Sequence, residues 1–552
     1  MAVRDLDRRI AGIFLAFVAL LGLALIKAVD FGVFRASSLQ QAAVSQQITR
    51  DVLPAPRGTI TDRNGVDLAI SESADDVIAD DFLIKQPLAT AQKLAPLLGK
   101  PVLTVLALLS KRDGYVHLAR LLPADRATQI SKLQINGISL LPRTTRFYPR
   151  GWAASQVIGS VHGSGTGASG LEYFYNHQLT GTDGLRRIVN DAIGQPISID
   201  DVRATRPGAT FRLTLDSALQ DEVEQVLAGV GAQYRPKGAT AIFMNPQTGA
   251  ILALANWPRV NANDPTSAPT YASQDRAVNF NYEPGSTFKA VTVAGALQDG
   301  LVTPSTPFNI PSVLQVADRT IHDAEAHGDE TLSVAGILAK SSNIGADLIG
   351  AKLGANRFDY WVRRFGFGAK TGVNLPGEDG GIILPVSKYS GSSMGNLPFG
   401  QGESVTPIQM ATAYAAIANG GILRPAHIVD AINGKPVPLP AGHRIISPST
   451  AAELRGMLRG VLGEGGTASG AAIPGYDMAG KTGTANIAIN GKYSNTEFIA
   501  SFVGMVPTNH PQLLGMVVVD EPQGSIYGGS VAAPAFQKIV GWAVPYLGIS
   551  PH

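Results

Sequence analysis

The sequence contains no cysteine. That excludes disulfides, thiolate nucleophiles and cysteine-ligated metals, and it suits an oxidising compartment, where a free thiol is a liability. Charge is also scarce: Asp, Glu, Lys and Arg make up 16% of the chain, against about a quarter in ordinary globular proteins. With 45 basic and 43 acidic residues the formal net charge is only +2, so the dense basic field that nucleic-acid binding needs is missing. The nine histidines show no HExxH or other tight ligand spacing, so neither a metal site nor a cofactor is expected. There is no internal repeat.

What is present is apolar and turn-rich. Hydrophobic residues make up 45% of the 552 positions, with 61 Gly and 35 Pro. A chain of this length is expected to divide into two or three domains.

The first thirty residues carry one long apolar run. Arg4, Arg8 and Arg9 precede Ile10–Ile26, which has no charged or strongly polar residue, and Lys27, Ala28 and Val29 close it. Twenty helical residues cover roughly the 30 Å hydrocarbon core of a bilayer, and Lys27 can snorkel to the interface. The arginines favour a cytoplasmic N-terminus with the remainder outside. No small-x-small cleavage site follows the run, so it reads as an uncleaved anchor in the cytoplasmic (inner) membrane, not a signal peptide. The expected division is a cytoplasmic tail at 1–9, a transmembrane helix at 10–29, a stalk and pedestal at 30–220 and a catalytic domain at 221–552. The stalk holds Gln40, Gln41, Gln46 and Gln47.

In the last region Ala239–Met244 and Ala250–Ala255 read as strands of a hairpin around Asn245–Gly249. Asp477–Ala485, Phe498–Val506 and Leu513–Asp520 read as three more strands, and the short turns between them favour antiparallel pairing. Phe288–Gln298, Val334–Ala339 after Ser333, and Pro407–Asn419 after Thr406 read as helices. The expected fold is α+β and multidomain: an N-terminal transmembrane helix, an extended α+β pedestal, and a C-terminal domain whose five-stranded antiparallel sheet packs between helices.

Three short motifs carry chemistry. Ser286-Thr287-Phe288-Lys289 follows Glu283-Pro284-Gly285, Ser341-Ser342-Asn343 comes next, and Lys481-Thr482-Gly483-Thr484 lies on the third strand. A serine hydroxyl needs a base beside it. Lys289, three residues along a helix, shares a face with Ser286 and acts as that base if burial and a neighbouring cation, Lys481, depress its pKa. Free N–H groups at the helix start and on Thr484 suit an oxyanion. Ser341 is placed to relay the leaving-group proton, and Asn343 to orient Lys289 or the substrate amide. Lys481 and Thr482 suit a carboxylate, and Gly483 would let a peptide lie close to the strand. The catalytic set is therefore Ser286, Lys289, Ser341, Asn343 and Lys481; the substrate-binding set is Thr482, Gly483 and Thr484. Each motif alone is an ordinary cap, turn or strand end; the information is in the ordered triple.

That triple resembles the signature of the penicillin-binding proteins and the serine β-lactamases. The resemblance extends upstream. Arg57–Gly65, Arg146–Pro149 through Gly159, and Gly167–Glu172 are similar to the pedestal boxes of class B penicillin-binding proteins, and Thr214–Gln220 to the entry of their transpeptidase domain. Arg57, Asp62 and Glu172 are expected to be ion pairs tying the pedestal together. Asp520–Gln523, Tyr527–Phe536 and Ser392–Gly402 with Thr406-Pro407 resemble the cell-division branch. Asn245 stands where the family usually has Asp. The resemblance implies a β-lactamase-like fold and a septal peptidoglycan D,D-transpeptidase. Ser286 would be acylated by D-Ala-D-Ala stem peptides, or by β-lactam antibiotics that mimic them, and the acyl group would pass to an amine acceptor. The implied partners are a septal glycosyltransferase of the FtsW type and other division proteins. An elongation role, D,D-carboxypeptidase activity and a β-lactam-sensing scaffold are the alternatives. A β-lactamase is disfavoured: neither Glu378 nor Glu403 sits in an E-x-x-L-N context, and Ser342 stands where those enzymes have Asp.

Overall fold

A computed structural model describes residues 2–37, 48–190 and 196–551. The stalk glutamines lie outside the described residues. The N-terminal helix α1, Ala2–Val29, continues as a wider turn over Asp30–Phe34. Among the described residues it is the one helix long and apolar enough to cross a membrane, and its apolar side chains, Ile13 and Leu15 among them, are exposed.

The chain forms two compact units, each discontinuous in sequence: residues 1–56, 73–144 and 181–207, and residues 57–72, 145–180 and 208–552. In the first, strands Ile48–Leu53, Gly184–Asn190 and Pro196–Arg203 make a three-stranded antiparallel sheet. A small core of Val77, Leu94, Val105, Leu118 and Ile130 draws on three helices, Pro87–Leu98, Val102–Leu109 and Ala124–Lys132. Pro87 opens the first of these, where its missing N–H costs nothing, and Gly99 closes it with a left-handed φ of 65°.

The second unit is built on a five-stranded antiparallel sheet. In chain order its elements are α2 (Ser217–Tyr234), β1 (Gly238–Met244), β2 (Ile251–Trp257), α3 (Lys289–Gln298), α4 (Val334–Lys340), α5 (Asn343–Arg364), α6 (Pro407–Ala418), α7 (Pro448–Arg459), β3 (Ala479–Ile489), β4 (Lys492–Val506), β5 (Leu513–Asp520) and α8 (Gly528–Tyr546). The strand order is β2-β1-β5-β4-β3, so both ends of the domain close one sheet and β3 is an edge.

The alternation of side chains sorts the sheet into two apolar faces. Ile242, Met244, Leu514, Met516, Val503 and Met505 face α3 and the helices packed with it. Ala241, Phe243, Val517, Val519, Ala500 and Phe502 face α2 and α8. All eight residues of β5 are buried, and each Val, Leu or Met so placed is worth about 1.5–3 kcal/mol. The expected sheet between helices is what forms.

Caps set the helix starts. Ser333 Oγ accepts from Gly336 N–H at 3.1 Å. Thr406 and Gln409 form a reciprocal capping box with Pro407 in the first turn, a cap worth about 1 kcal/mol. The strand pair β3–β4 runs further than its apolar pattern suggests. Beyond Ala485 it continues as a solvent-exposed hairpin to Ile489 and Lys492. The turn is Asn490-Gly491, both residues at positive φ, as the tightest hairpin turns require.

Candidate active site

Ser286 sits half-buried on a 3-10 turn, Gly285–Phe288, that runs directly into α3. Thr287 Oγ1 donates to Pro284 O at 2.8 Å. The buried Tyr414 hydroxyl, from α6, donates to Thr287 O at 2.7 Å. The serine is thus held by a clamped backbone. Gly285 adopts a φ of 55°, and a Cβ there would stand 3.1 Å from Ala485 Cβ and 3.3 Å from Thr484 O. The Ser286 turn therefore packs on the edge of β3, which brings the Ser286 and Thr484 main chains together, as an oxyanion site requires.

Lys289 is 0% exposed. Its amine donates to Ser341 O at 2.5 Å, to Asn343 Oδ1 at 2.7 Å and to Ser341 Oγ at 3.3 Å. Lys481, also 0% exposed, donates to the same Ser341 Oγ at 2.7 Å and to Thr482 O at 3.1 Å. Two buried amines thus converge on one hydroxyl. Ser341 reaches both because it forms the left-handed link (φ 63°) between α4 and α5. A non-glycine residue rarely adopts this conformation, and it is one that functional sites tend to hold. Ser342 caps α5 through Gly345 N–H at 2.8 Å. All five residues of the expected catalytic set thereby fall in one cluster.

Burial dominates the electrostatics. Desolvation pushes the Lys289 amine down to about 7, against the pull of the Asp323 and Asp347 carboxylates. Desolvation, and then the charge on Lys289, hold Lys481 well below the ordinary amine range.

The site opens on one cleft of about 1110 Å³. Ser286, Ser341, Asn343, Thr482 and Thr484 border it. Lys481 does not, because its amine is directed at Ser341, so Thr482 and Thr484 present the strand's hydroxyls. Thr467, unnoticed in the sequence, adds a third: its Oγ1 lies 2.7 Å from Thr482 Oγ1. The Gly465-Gly466 pair before it was the available signal. Gly483 faces away from the cleft. A Cβ there would lie 2.3 Å from Ser501 Oγ and 3.1 Å from Pro284 O. Glycine is thus required first by the Ser501 side chain of the neighbouring strand β4, with the Ser286 turn close behind it, a reason distinct from close approach by a substrate.

A further residue missed in the sequence is Asp323. Its Oδ1 accepts from the N–H groups of Asn343 (2.5 Å) and Ile344 (3.0 Å), and Oδ2 lies 3.1 Å from His327 Nε2. It thereby caps the helix that carries Asn343. Glu378 accepts from Thr371 and Gly372, and Glu403 is buried. Neither borders the cleft.

Glu172 forms the expected ion pairs, with Arg57 Nε at 2.5 Å and Arg146 Nε at 2.6 Å. Asp62 does not. Its carboxylate is met by the N–H groups of Asn64 (2.7 Å), Val66 (2.8 Å) and Ser217 (3.1 Å). Burial works to raise its pKa, and these bonds outweigh that and hold it low. Asp62 closes a turn and joins it to α2, a task that backbone donors perform without a cation.

A serine on a clamped turn, with two desolvated amines sharing a second serine and an edge strand alongside, defines an acyl-transferring serine enzyme of the penicillin-binding fold. Comparison with known proteins carries this further. Residues 239–541 match the penicillin-binding protein transpeptidase domain, and residues 52–213 match the penicillin-binding protein dimerisation domain. The stage V sporulation protein D of Bacillus subtilis is 34% identical over 90% of this chain and 79% of its own. The peptidoglycan D,D-transpeptidase FtsI of Escherichia coli is 33% identical over 90% and 84%. The crystal structure of penicillin-binding protein 3 from Mycobacterium tuberculosis, complexed with aztreonam, superimposes with a TM-score of 0.72 at 29% identity and covers 91% of this chain and 98% of its own. The chain belongs to the class B penicillin-binding proteins. With one apolar helix ahead of the family's two domains, it is a single-pass membrane-anchored transpeptidase.

Proposed function

We propose that this protein cross-links peptidoglycan stem peptides at the division septum through an acyl-enzyme on Ser286. The observation that carries the reading is the convergence of Lys289 and Lys481 on Ser341 Oγ beside the Ser286 turn. Lys289, pushed down to about 7 by burial, takes the proton from Ser286 Oγ in its neutral form as that oxygen bonds to the carbonyl carbon of the penultimate D-Ala. The Ser286 and Thr484 N–H groups receive the oxyanion. The carbon–nitrogen bond to the terminal D-Ala then breaks, and the proton reaches the departing amine from Lys289 through Ser341 Oγ. An amine of a neighbouring stem peptide attacks the ester by the reverse path. Asn343 holds the Lys289 amine, and Lys481 holds the Ser341 hydroxyl in place. Thr482 and Thr484, on the edge strand that Gly483 keeps close to the serine, receive the donor peptide and its carboxylate. β-Lactams acylate the same serine.

In this reading residues 10–29 span the cytoplasmic membrane, with 1–9 inside. The stalk and pedestal (30–220) and the transpeptidase domain (221–552) stand on the outer side, beside an FtsW-type glycosyltransferase and other division proteins. The septal role draws on the names of the relatives. The amine acceptor, in preference to water, draws on the match to the transpeptidase domain. The test is mass spectrometry of the penicillin adduct with the modified peptide mapped. A single stable adduct on Ser286, lost in Ser286→Ala, is expected. An adduct elsewhere, or rapid penicillin turnover, would overturn the assignment. A fluorescent fusion without mid-cell enrichment would overturn the septal role.

A further inference from the structure

Residues 322–327 border the cleft in the loop that joins strand Arg319–Ile321 to strand Glu330–Ser333. The loop has neither helix nor strand of its own, so its side chains decide its course. It holds the start of α5 at three points. Asp323 Oδ1 accepts from the Asn343 and Ile344 N–H groups at 2.5 and 3.0 Å. His322 O accepts from Asn343 Nδ2 at 3.0 Å. This last bond orients the amide: with Nδ2 on the loop, Oδ1 is left to accept from the Lys289 amine, 2.7 Å away.

His327 ties the loop to itself. Its Nδ1 lies 2.7 Å from Gly328 O, and its Nε2 lies 3.1 Å from Asp323 Oδ2. A carbonyl oxygen only accepts, so Nδ1 carries its hydrogen. In a neutral ring Nε2 is then a bare lone pair, which an ionised carboxylate cannot meet. The contact closes only when one more proton lies between the two. The other charged group facing the ring is Glu330, 3.9 Å from Nδ1. Lys340, at the end of α4, donates to the second Glu330 oxygen at 2.8 Å. The Gly328 carbonyl first, then Asp323 and Glu330, outweigh burial and raise the ring above the ordinary His range.

We propose that His327 is a positioning residue for acyl transfer: a protonated clasp on Asp323 that fixes the loop against the start of α5 and so keeps Asn343 Oδ1 on the Lys289 amine. When the proton leaves, Asp323 Oδ2 loses this partner and the loop is free to shift. Asn343 shifts with it, and Lys289 is aimed less well at its reacting neighbours. The clasp is complete below the ordinary His value of about 6.5 and is lost as pH rises through the raised one. Lys289 runs the other way, gaining its basic form as pH rises.

The inference rests on the assignment of Ser286 as nucleophile and Lys289 as base, and the experiment separates the two. The second-order rate of acylation by a fluorescent penicillin is measured on the full chain in detergent, and each variant is read as a ratio to the parent at the same pH. His327→Phe keeps a ring and removes both nitrogens. The parent should outpace it about tenfold near pH 6, and the ratio should shrink to about one near pH 9. His327→Gln, whose amide donates at every pH, should outpace His327→Phe by a factor that does not change with pH. In an Asn343→Ala background, His327→Phe should have no further effect, because the residue through which it acts is gone. A purely structural role would scale the whole profile by one factor. A parent-to-His327→Phe ratio that stays flat with pH, or an undiminished effect in the Asn343→Ala background, would therefore overturn the proposal. If Ser286→Ala still labels, the catalytic assignment itself fails. If Ser286→Ala is silent and the ratio is flat, the clasp alone is wrong.

Discussion

Glu172 and Lys289 are both sealed from solvent in the same compact unit, and the protein treats them in opposite ways. Glu172 is met by two guanidiniums, and Arg57 is tied in turn to Asn176, Thr180 and the Glu172 carbonyl. Lys289 receives only neutral oxygens, from Ser341 and Asn343, and the carboxyls that face it stand out of contact. The first centre pairs opposite charges in contact. The second leaves its amine without a contacting carboxylate, and burial weakens its hold on the proton. The difference shows that burial alone decides neither stability nor reactivity; the partner does.

Four measurements would break or sharpen this contrast. The largest effect is expected from Lys289→Met, which keeps the bulk and removes the amine. Penicillin acylation should fall about 10³-fold, with a melting temperature no lower than the parent's, because an uncompensated buried amine has gone. Glu172→Ala should do the reverse. Leaving two guanidiniums buried without a carboxylate should cost about 3–5 kcal/mol in denaturant unfolding, while acylation per folded molecule stays near the parent's.

Gly483→Ala should cost about 1–3 kcal/mol and slow acylation by displacing the serine turn. Ser501→Ala, which removes the oxygen 2.3 Å from the new Cβ, should recover part of both losses. No recovery would mean that glycine serves the substrate instead.

The smallest effects concern pH. Lys289 releases its proton near 7 when folded and near 10.4 when unfolded. Between those values the unfolded chain holds the extra proton, so this group makes stability rise with pH. Asp347 is raised to about 8 by burial and titrates near 3.9 unfolded. Across that window the folded chain holds the proton, so this group makes stability fall as pH rises. Differences of Asp347→Asn and Lys289→Met from the parent, read as unfolding free energy against pH, should have opposite slopes of at most about 1.4 kcal/mol per pH unit. Slopes of the same sign would dissolve the contrast.

Much of this was legible in the chain. The sheet strands were readable because a sheet covered on both faces shows as dense apolar runs, as in Leu513–Asp520. The exposed end of the β3–β4 hairpin was missed because Lys492–Glu497 is polar and carries no burial signal; Asn490-Gly491 was the clue. The helix Gly528–Tyr546 was known only as a resemblance, since its packing on the sheet is long-range. Asp62 looked like half of an ion pair, and sequence cannot tell a carboxylate that meets a cation from one that meets three backbone donors.

By itself the sequence carried the motifs on which the proposed chemistry rests. The ordered triple of Ser286–Lys289, Ser341–Asn343 and Lys481–Thr484 made a serine nucleophile with a lysine base the reading. An uncharged run of about twenty residues is long enough for a membrane. These are local properties, set by residue type and spacing. Only the tertiary structure decided that Lys481 is turned to Ser341 and away from the cleft, that Gly483 makes room for Ser501 on the neighbouring strand, and that Lys289 is closed off from solvent. Each depends on groups that meet from distant parts of the chain, and on the exclusion of water where they meet. Desolvation belongs to no residue; it arises when the core closes around one.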